Sequence, residues 1–339
     1  MVGMAGLLSR ILRPEEFAVN PSCSPFPIPY SLLLFVIPIT PPYNAYWTMT
    51  PIRFYRDFDF EYEVLETVSP LVRRIVARNP GSFTGPGTGT YVVGRGHVAV
   101  IDPGPSGSHP DAVLRALGGE TIDSILITHS HVDHWPGMAD LQRATGARTY
   151  GFGSKRGQSS GGGPESSYYR LLTDNAIGEG DTLAGPGWHL TALHTPGHAS
   201  DHLCFALEEE KILFSGDHVM GWSTSVIMPP DGDMAGYMRS LERLLDRDDT
   251  LFLPTHGAPV TDPKTHVNAF LTHRRERRAA ILRQLANRPS TISDIVGAVY
   301  VDVSPSLHGA AAQSVLAHLI ELQESGEVAS DGRRYRLAP

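Results

Sequence analysis

Between Thr128 and Gly137 the chain reads Thr-His-Ser-His-Val-Asp-His-Trp-Pro-Gly, with three histidines and one aspartate in six consecutive positions. Core packing explains that density poorly, because each buried imidazole or carboxylate would need its own polar partner. A metal site explains it well. His129, His131 and His134 offer neutral imidazole nitrogens and Asp133 a hard oxygen, a mixture that suits zinc or another borderline divalent ion. The preceding Asp123-Ser-Ile-Leu-Ile-Thr128 is a short β-branched, apolar run, which predicts a buried strand. The cluster then lies on the loop leaving a strand's C-terminal end, where α/β proteins place chemistry.

So tight a loop supplies two or three ligands to each of two metals and completes neither shell. Further ligands are expected at the ends of other strands. Three positions qualify: His198 after the run Trp188–Leu193 and a Pro-Gly turn, Asp217 after Lys211-Ile-Leu-Phe-Ser-Gly216, and His256 after Thr250-Leu-Phe-Leu-Pro-Thr255. Proline presets one turn dihedral and glycine takes the strained one, so such turns can aim a side chain back at the cluster. His194 is the weaker member of its pair, and reads as a residue that orients the turn.

With these residues in place, the chain resembles the metallo-β-lactamase superfamily, whose His-x-His-x-Asp-His signature stands here as His129 to His134. The closest likeness is to the branch holding glyoxalase II and the β-lactamase-like endoribonucleases with a C-terminal winged helix. Asn79-Pro-Gly-Ser-Phe-Thr-Gly-Pro-Gly-Thr-Gly-Thr-Tyr91 is similar to that branch's opening, with Gly89 where asparagine is usual, and His198-Ala-Ser-Asp-His202 and Phe214-Ser-Gly-Asp-His218 match its style. The likeness runs from about residue 65 to the C-terminus.

The resemblance implies an αββα sandwich and two zinc ions per chain. One zinc would be held by His129, His131 and His198, the other by Asp133, His134 and His256, with Asp217 bridging. It further implies hydrolysis by a metal-bridging hydroxide, with Asp133 as the catalytic carboxylate that holds a proton and passes it to the leaving group. The dedicated β-lactamases of the superfamily lack a bridging carboxylate at that point. Asp217 therefore favours thioester or phosphodiester chemistry over primary β-lactam hydrolysis. The leading expectation is a zinc-dependent hydrolase of an ester, thioester or related small acyl substrate. Alternatives are a single-strand endoribonuclease acting on RNA, a promiscuous β-lactam or lactone hydrolase, and, from another class, a non-catalytic nucleic-acid-binding module, which the full ligand set disfavours.

The elements that must position these residues form one large and one small domain, a natural division for 339 residues of which 41% are hydrophobic. Three segments are expected: an N-terminal extension over 1–60, a metallo-β-lactamase domain over 61–265 and a winged-helix-like domain over 266–339. In the body, helices are predicted over Gly137–Gly146 and over Asp233–Asp246, the latter with Asp233 as N-cap. The Ser/Gly-rich stretch Gly153–Ser167 reads as a flexible loop, a lid over substrate or plain solvent-exposed filler. The tail reads helix (Thr265–Asn287), helix (from Ser290), helix (Leu307–Ser325), then two short strands about Asp331-Gly332, which is a winged-helix order. Packing on the body and walling the active site is its preferred role; nucleic-acid contact through Arg333, Arg334 and Arg336 is the alternative.

Net charge is −8, while from Phe270 onward nine arginines meet seven acids, so the acidic body does not look like a general nucleic-acid binder. Cys23 and Cys204 lie in separate regions, which argues against a disulfide framework and fits a reducing, cytoplasmic setting; Cys204 reads as a core filler. The apolar run within Pro29–Ile39 is shorter than the ~18–20 residues that span a bilayer, so no stable membrane insertion is expected. The first sixty residues read as an accessory or misassigned extension, a candidate for poor order, before a normal start at Met49.

Overall fold

A computed structural model describes residues 50–153, 171–301 and 303–339. The apolar run of Pro29–Ile39 and nearly all of the expected 153–167 loop lie outside the described residues. The first sheet contains β1 (Leu65–Thr67), β2 (Val72–Val76), β3 (Gly89–Arg95), β4 (His97–Ile101), β5 (Thr121–Leu126), β6 (Arg148–Phe152) and β7 (Asn175–Ile177), in that spatial order. Pairing is antiparallel from β1 to β4 and parallel from β4 to β7. The parallel steps are crossed by α1 (Ser108–Leu117) and α2 (Met138–Thr145). The second sheet runs β8 (Thr182–Gly185), β9 (Trp188–His194), β10 (Leu203–Leu207), β11 (Ile212–Gly216) and β12 (Leu251–Pro254). Its first strands pair antiparallel, and β11 pairs parallel with β12 across α3 (Met234–Leu245).

Side-chain alternation decides the layers, because successive residues of a strand face opposite sides. On β10, Leu203, Phe205 and Leu207 point between the sheets and meet Tyr91, Ile101, Leu126, Trp188, Phe214 and Leu253. Cys204 and Ala206 point outward, against Tyr237 and Leu241 of α3. The outer face of the first sheet is covered in the same way, Val92, Val98, Val100 and Ile125 lying against Val113 and Leu117 of α1 and Leu141 of α2. The result is an αββα sandwich. Buried among these groups, the Cys204 thiol is pushed up to about 12 and stays a packing group.

α4 (Pro263–Asn287) begins with Asp262 as N-cap and Pro263 in its first turn, where a missing N–H costs nothing. Its first half sends Val267, Phe270 and Leu271 into the outer layer over the second sheet. Its second half sends Ile281 and Leu285 into a separate core with α5 (Ile292–Val299) and α6 (His308–Glu324). β13 (Val328–Ser330) and β14 (Tyr335–Leu337) complete this unit as a hairpin, and α5 opens with a capping box between Thr291 and Asp294. The C-terminal unit is a winged helix.

Residues 50–55, which were expected to belong to the extension, lie on the outer layer over the second sheet. Ile52, Phe54 and Tyr55 pack against it, Tyr55 N donates to Gly221 O at 2.8 Å, and Thr50 N donates to Glu276 Oε2 at 2.9 Å. Among the described residues no helix is long and apolar enough to cross a membrane.

Candidate metal centre

The strand ends of the two sheets meet at one edge of the sandwich. The loop after β5 delivers His129, His131, Asp133 and His134; the loop after β9 delivers His198; β11 and β12 end just before Asp217 and His256. Two of these turns require glycine. Gly197 has φ +143°, and a Cβ there would stand 2.3 Å from Tyr237 Cα; Gly216 has φ +51°, and a Cβ there would stand 2.5 Å from His202 Nε2.

The seven side chains form two groups, His129, His131, His198 and Asp217 in one, and Asp133, His134 and His256 in the other, with one ligand atom from each member within 4.8 Å of the rest of its group. Asp217 stands between them. Its Oδ2 lies 3.6 Å from both His198 Nε2 and His134 Nε2, and its Oδ1 3.5 Å from His256 Nε2. His256 Nε2 is also 3.0 Å from Asp133 Oδ2. His194 stays outside: its Nε2 faces Ser200 O at 2.9 Å and its ring stacks on Phe152, so it braces the turn.

The outward-facing nitrogens settle the tautomers. His198 Nδ1 meets Val226 O at 2.6 Å, and His256 Nδ1 meets Gly87 O at 3.1 Å. A carbonyl only accepts, so each Nδ1 carries a proton, and in the neutral ring each Nε2 presents a lone pair inward. Thr128 Oγ1 gives its proton to Asp102 Oδ2 at 2.8 Å and so accepts from His129 Nδ1 at 3.1 Å, which leaves His129 Nε2 with a lone pair as well. That lone pair and the one on His198 both face His131 Nδ1, at 2.8 and 3.0 Å. One Nδ1 proton can answer only one of them.

A divalent cation fits this arrangement. His134 Nε2 and Asp217 Oδ1 are buried and have no hydrogen-bond partner, and the buried His256 Nε2 has only the Asp133 carboxylate beside it. Nitrogen and oxygen donors converging at separations of about 3 Å are what a small four- or five-coordinate ion gathers. The electrostatics agree. Burial, reinforced by neighbouring histidines, holds His129 well below its usual value and His131 at about 4, so both are neutral ligands. Burial also pushes His134 and His256 down, but nearby carboxylates outweigh it, Asp133 and Asp102 for His134 and Asp217 for His256, and both end up raised. Burial pushes the two carboxylates upward; His256 and His134 overcome this for Asp217, and His134 and His256 bring Asp133 down to about 2.

Several supporting groups were not singled out from sequence. Asp102, which opens an Asp-Pro-Gly turn after the apolar run Val98–Ile101, is fully buried and accepts from Thr128 N, Thr128 Oγ1, His134 Nδ1 and Thr255 Oγ1, each at 2.8 Å. It thus ties β4, the histidine loop and the end of β12 together. A signal was available, since Asp102 follows an apolar strand directly, as Asp217 does. His202 holds Thr195 Oγ1 at 2.8 Å and accepts the Asp217 N–H at 3.1 Å. Ser225 Oγ donates to Asp217 O at 2.5 Å and lies 2.9 Å from His218 O. The carbonyls of Gly87 and Val226 had no signal, because any residue supplies a carbonyl.

Residues 83–256 match the metallo-beta-lactamase superfamily model, and residues 291–336 match the beta-lactamase associated winged helix domain. The chain is 32% identical over 273 residues to a beta-lactamase-like protein 2 homolog of Drosophila melanogaster, covering 76% of this chain and 89% of that protein. It is 30% identical over 246 residues to an atrochrysone carboxyl ACP thioesterase of Claviceps purpurea (strain 20.1), covering 70% and 74%. Among solved structures, a beta-lactamase domain protein from Burkholderia ambifaria aligns with TM-score 0.70 at 21% identity over 81% of this chain and 94% of that one. The chain is a metallo-beta-lactamase-fold hydrolase and belongs to the metallo-beta-lactamase superfamily, with the associated winged helix at its C-terminal end.

Proposed function

We propose that this protein is a dinuclear zinc hydrolase of acyl thioesters. The observation that carries the reading is Asp217, a carboxylate lying between two groups of inward-facing imidazoles with one oxygen unpartnered. His129, His131 and His198 would hold one ion and Asp133, His134 and His256 the other, with Asp217 shared. Bound there, two such ions would supply an ionised water near neutral pH and positive charge for a developing oxyanion.

The chain's own residues do the rest. Val226 O, Gly87 O and Asp102 fix the rings of His198, His256 and His134, so the donor set is ordered before substrate arrives. Asp133 is the most open carboxylate of the set, its side chain 22% exposed against 9% for Asp217. One of its oxygens faces His256, and the carboxylate is ionised at neutral pH. It is placed to take a proton from the attacking water and return it to the departing group. A thiolate leaves readily and needs little protonation, so a carboxylate held this far down suits a thioester better than an amide. The relatives named as acyl carrier protein thioesterases support the same substrate class.

The test is a substrate panel on the zinc-loaded chain: acyl thioesters, lactones, a β-lactam and single-stranded RNA. Thioester kcat/KM should exceed the others by at least about tenfold. Faster cleavage of RNA or β-lactam than of any thioester would overturn the assignment.

A further inference from the structure

Where α3, α4 and α6 meet, buried polar side chains face a second cavity. A cavity of about 230 Å³ is lined by Met234, Met238, Arg274, Arg278, His318 and Glu321, among others, the one carboxylate being the partner of Arg278. Two of its polar side chains are almost wholly buried, Arg274 at 2% exposure and His318 at 1%. Arg275 is paired with Glu242, and Arg278 with Glu321 and Glu327. No carboxylate among the described residues pairs with Arg274: its Nη2 donates to Ser225 O, its guanidinium carbon lies 5.4 Å from the Tyr237 ring centroid, and its Nε has no acceptor. Both ring nitrogens of His318 are also unpartnered.

A buried cation without a counter-charge is costly, and so is each buried polar atom without a partner. Both deficits are removed by one ligand that is anionic and accepts in several directions. Planar carboxylates bind arginine best through a paired Nε–Nη2 edge. Here one Nη2 hydrogen is taken by Ser225 O, and the Nε–H of Arg274 and the ring of His318 come from two different helices, a spread of directions that suits a tetrahedral oxyanion. A protonated phosphate oxygen can also donate to whichever His318 nitrogen carries the lone pair. Met234 and Met238 supply an apolar wall for an organic substituent.

We propose that this cavity is a phosphate-binding site, taking inorganic phosphate or the terminal phosphate of an ester, with Arg274 and His318 as its donors. The site is linked to the metal groups through two adjacent residues, Ser225 and Val226. The Ser225 carbonyl that holds Arg274 belongs to the residue whose Oγ holds Asp217 O, and the next carbonyl, Val226 O, holds His198.

The test uses the zinc-loaded full chain and the ring-nitrogen NMR signals of its histidines, with His318 assigned by its loss in His318→Leu. Titration with inorganic phosphate and with butyl phosphate at constant ionic strength should shift the His318 signals in a saturable way. Tighter binding of butyl phosphate identifies an ester as the ligand, and equal binding identifies free phosphate. Arg274→Lys keeps the charge but not the placement, and should weaken the effect by about tenfold or more. Phosphate at the metal groups would move the ligand histidines instead, so the two sites are read separately. His318 signals that stay fixed while the metal-site histidines saturate would overturn the proposal, as would unaltered phosphate binding, by calorimetry, in His318→Leu.

Discussion

Asp102 Oδ2 accepts the Nδ1 proton of His134 at 2.8 Å, with both side chains sealed from solvent. The carboxylate lies beside the metal groups without joining either of them. Its effect on the metal is indirect. It fixes the ring plane and tautomer of His134 and holds Thr255, the residue before His256. Asp102→Asn should therefore lower metal affinity by about 10–100-fold, the range for such supporting contacts. Competition with a chelator measures this, and unchanged affinity would remove Asp102 from the ordering role.

Metal content is the second check. Seven donor side chains in two groups exceed what one tetrahedral ion takes, so about two equivalents of zinc per chain should bind. His256→Ala should bring the content towards one equivalent and leave the His129, His131, His198 group filled. A wild-type chain saturating at one equivalent under zinc excess would contradict the dinuclear arrangement.

Asp217→Asn separates charge from shape. The amide keeps a dipole where the carboxylate has a full charge, so the shared position weakens while the strand end stays packed. We expect kcat to fall by roughly 10²-fold or more, about 2.7 kcal/mol of transition-state stabilisation, with little change in circular dichroism. Near-normal turnover with two ions bound would show that Asp217 is not shared.

What was legible from sequence tracks where information resides. His129 to His134 are conspicuous because their residue types are rare together, and Asp217 and His256 because each follows an apolar strand at a turn. The layers were an implication of the family resemblance, and β10, whose residues are all apolar and whose two faces meet two different cores, accords with it. Asp102 was obscured because Asp-Pro-Gly is equally a turn signal. The arginines of α4 were visible only as a basic run. That Arg274 points inward depends on which stripe of α4 faces α3 and α6, and the run Arg274, Arg275, Arg277, Arg278 does not mark a face.

A pH prediction follows from His109, which burial brings down to about 4 beside Thr90. Above the unfolded value of 6.5 both states are neutral and its contribution to stability is complete. As pH falls below 6.5 the unfolded chain takes up a proton that the folded chain refuses until about 4. Stability is lost across that window and not further below it. His109→Gln should flatten the fall between pH 6.5 and 4 by at most about 3 kcal/mol relative to wild type. Parallel denaturation curves for both proteins across the window would contradict this.

Truncation tests the docked N-terminal stretch. Starting the chain at Met49 should leave melting temperature and activity essentially unchanged. Starting it at Glu61 removes Ile52, Phe54 and Tyr55 from the outer layer and should cost about 2–4 kcal/mol. Equal melting temperatures for the two truncated chains would show that the contact contributes nothing.

α4 runs without a break from the sandwich into the winged helix. Neither core can open without pulling on a helix that the other still grips. Amide hydrogen exchange should therefore report one cooperative block along α4, with its central turns among the slowest to exchange, instead of two independently breathing units. Along α4 the two units are therefore joined by continuous helix and not by a loop, so a change in one core is transmitted to the other as strain in a shared element.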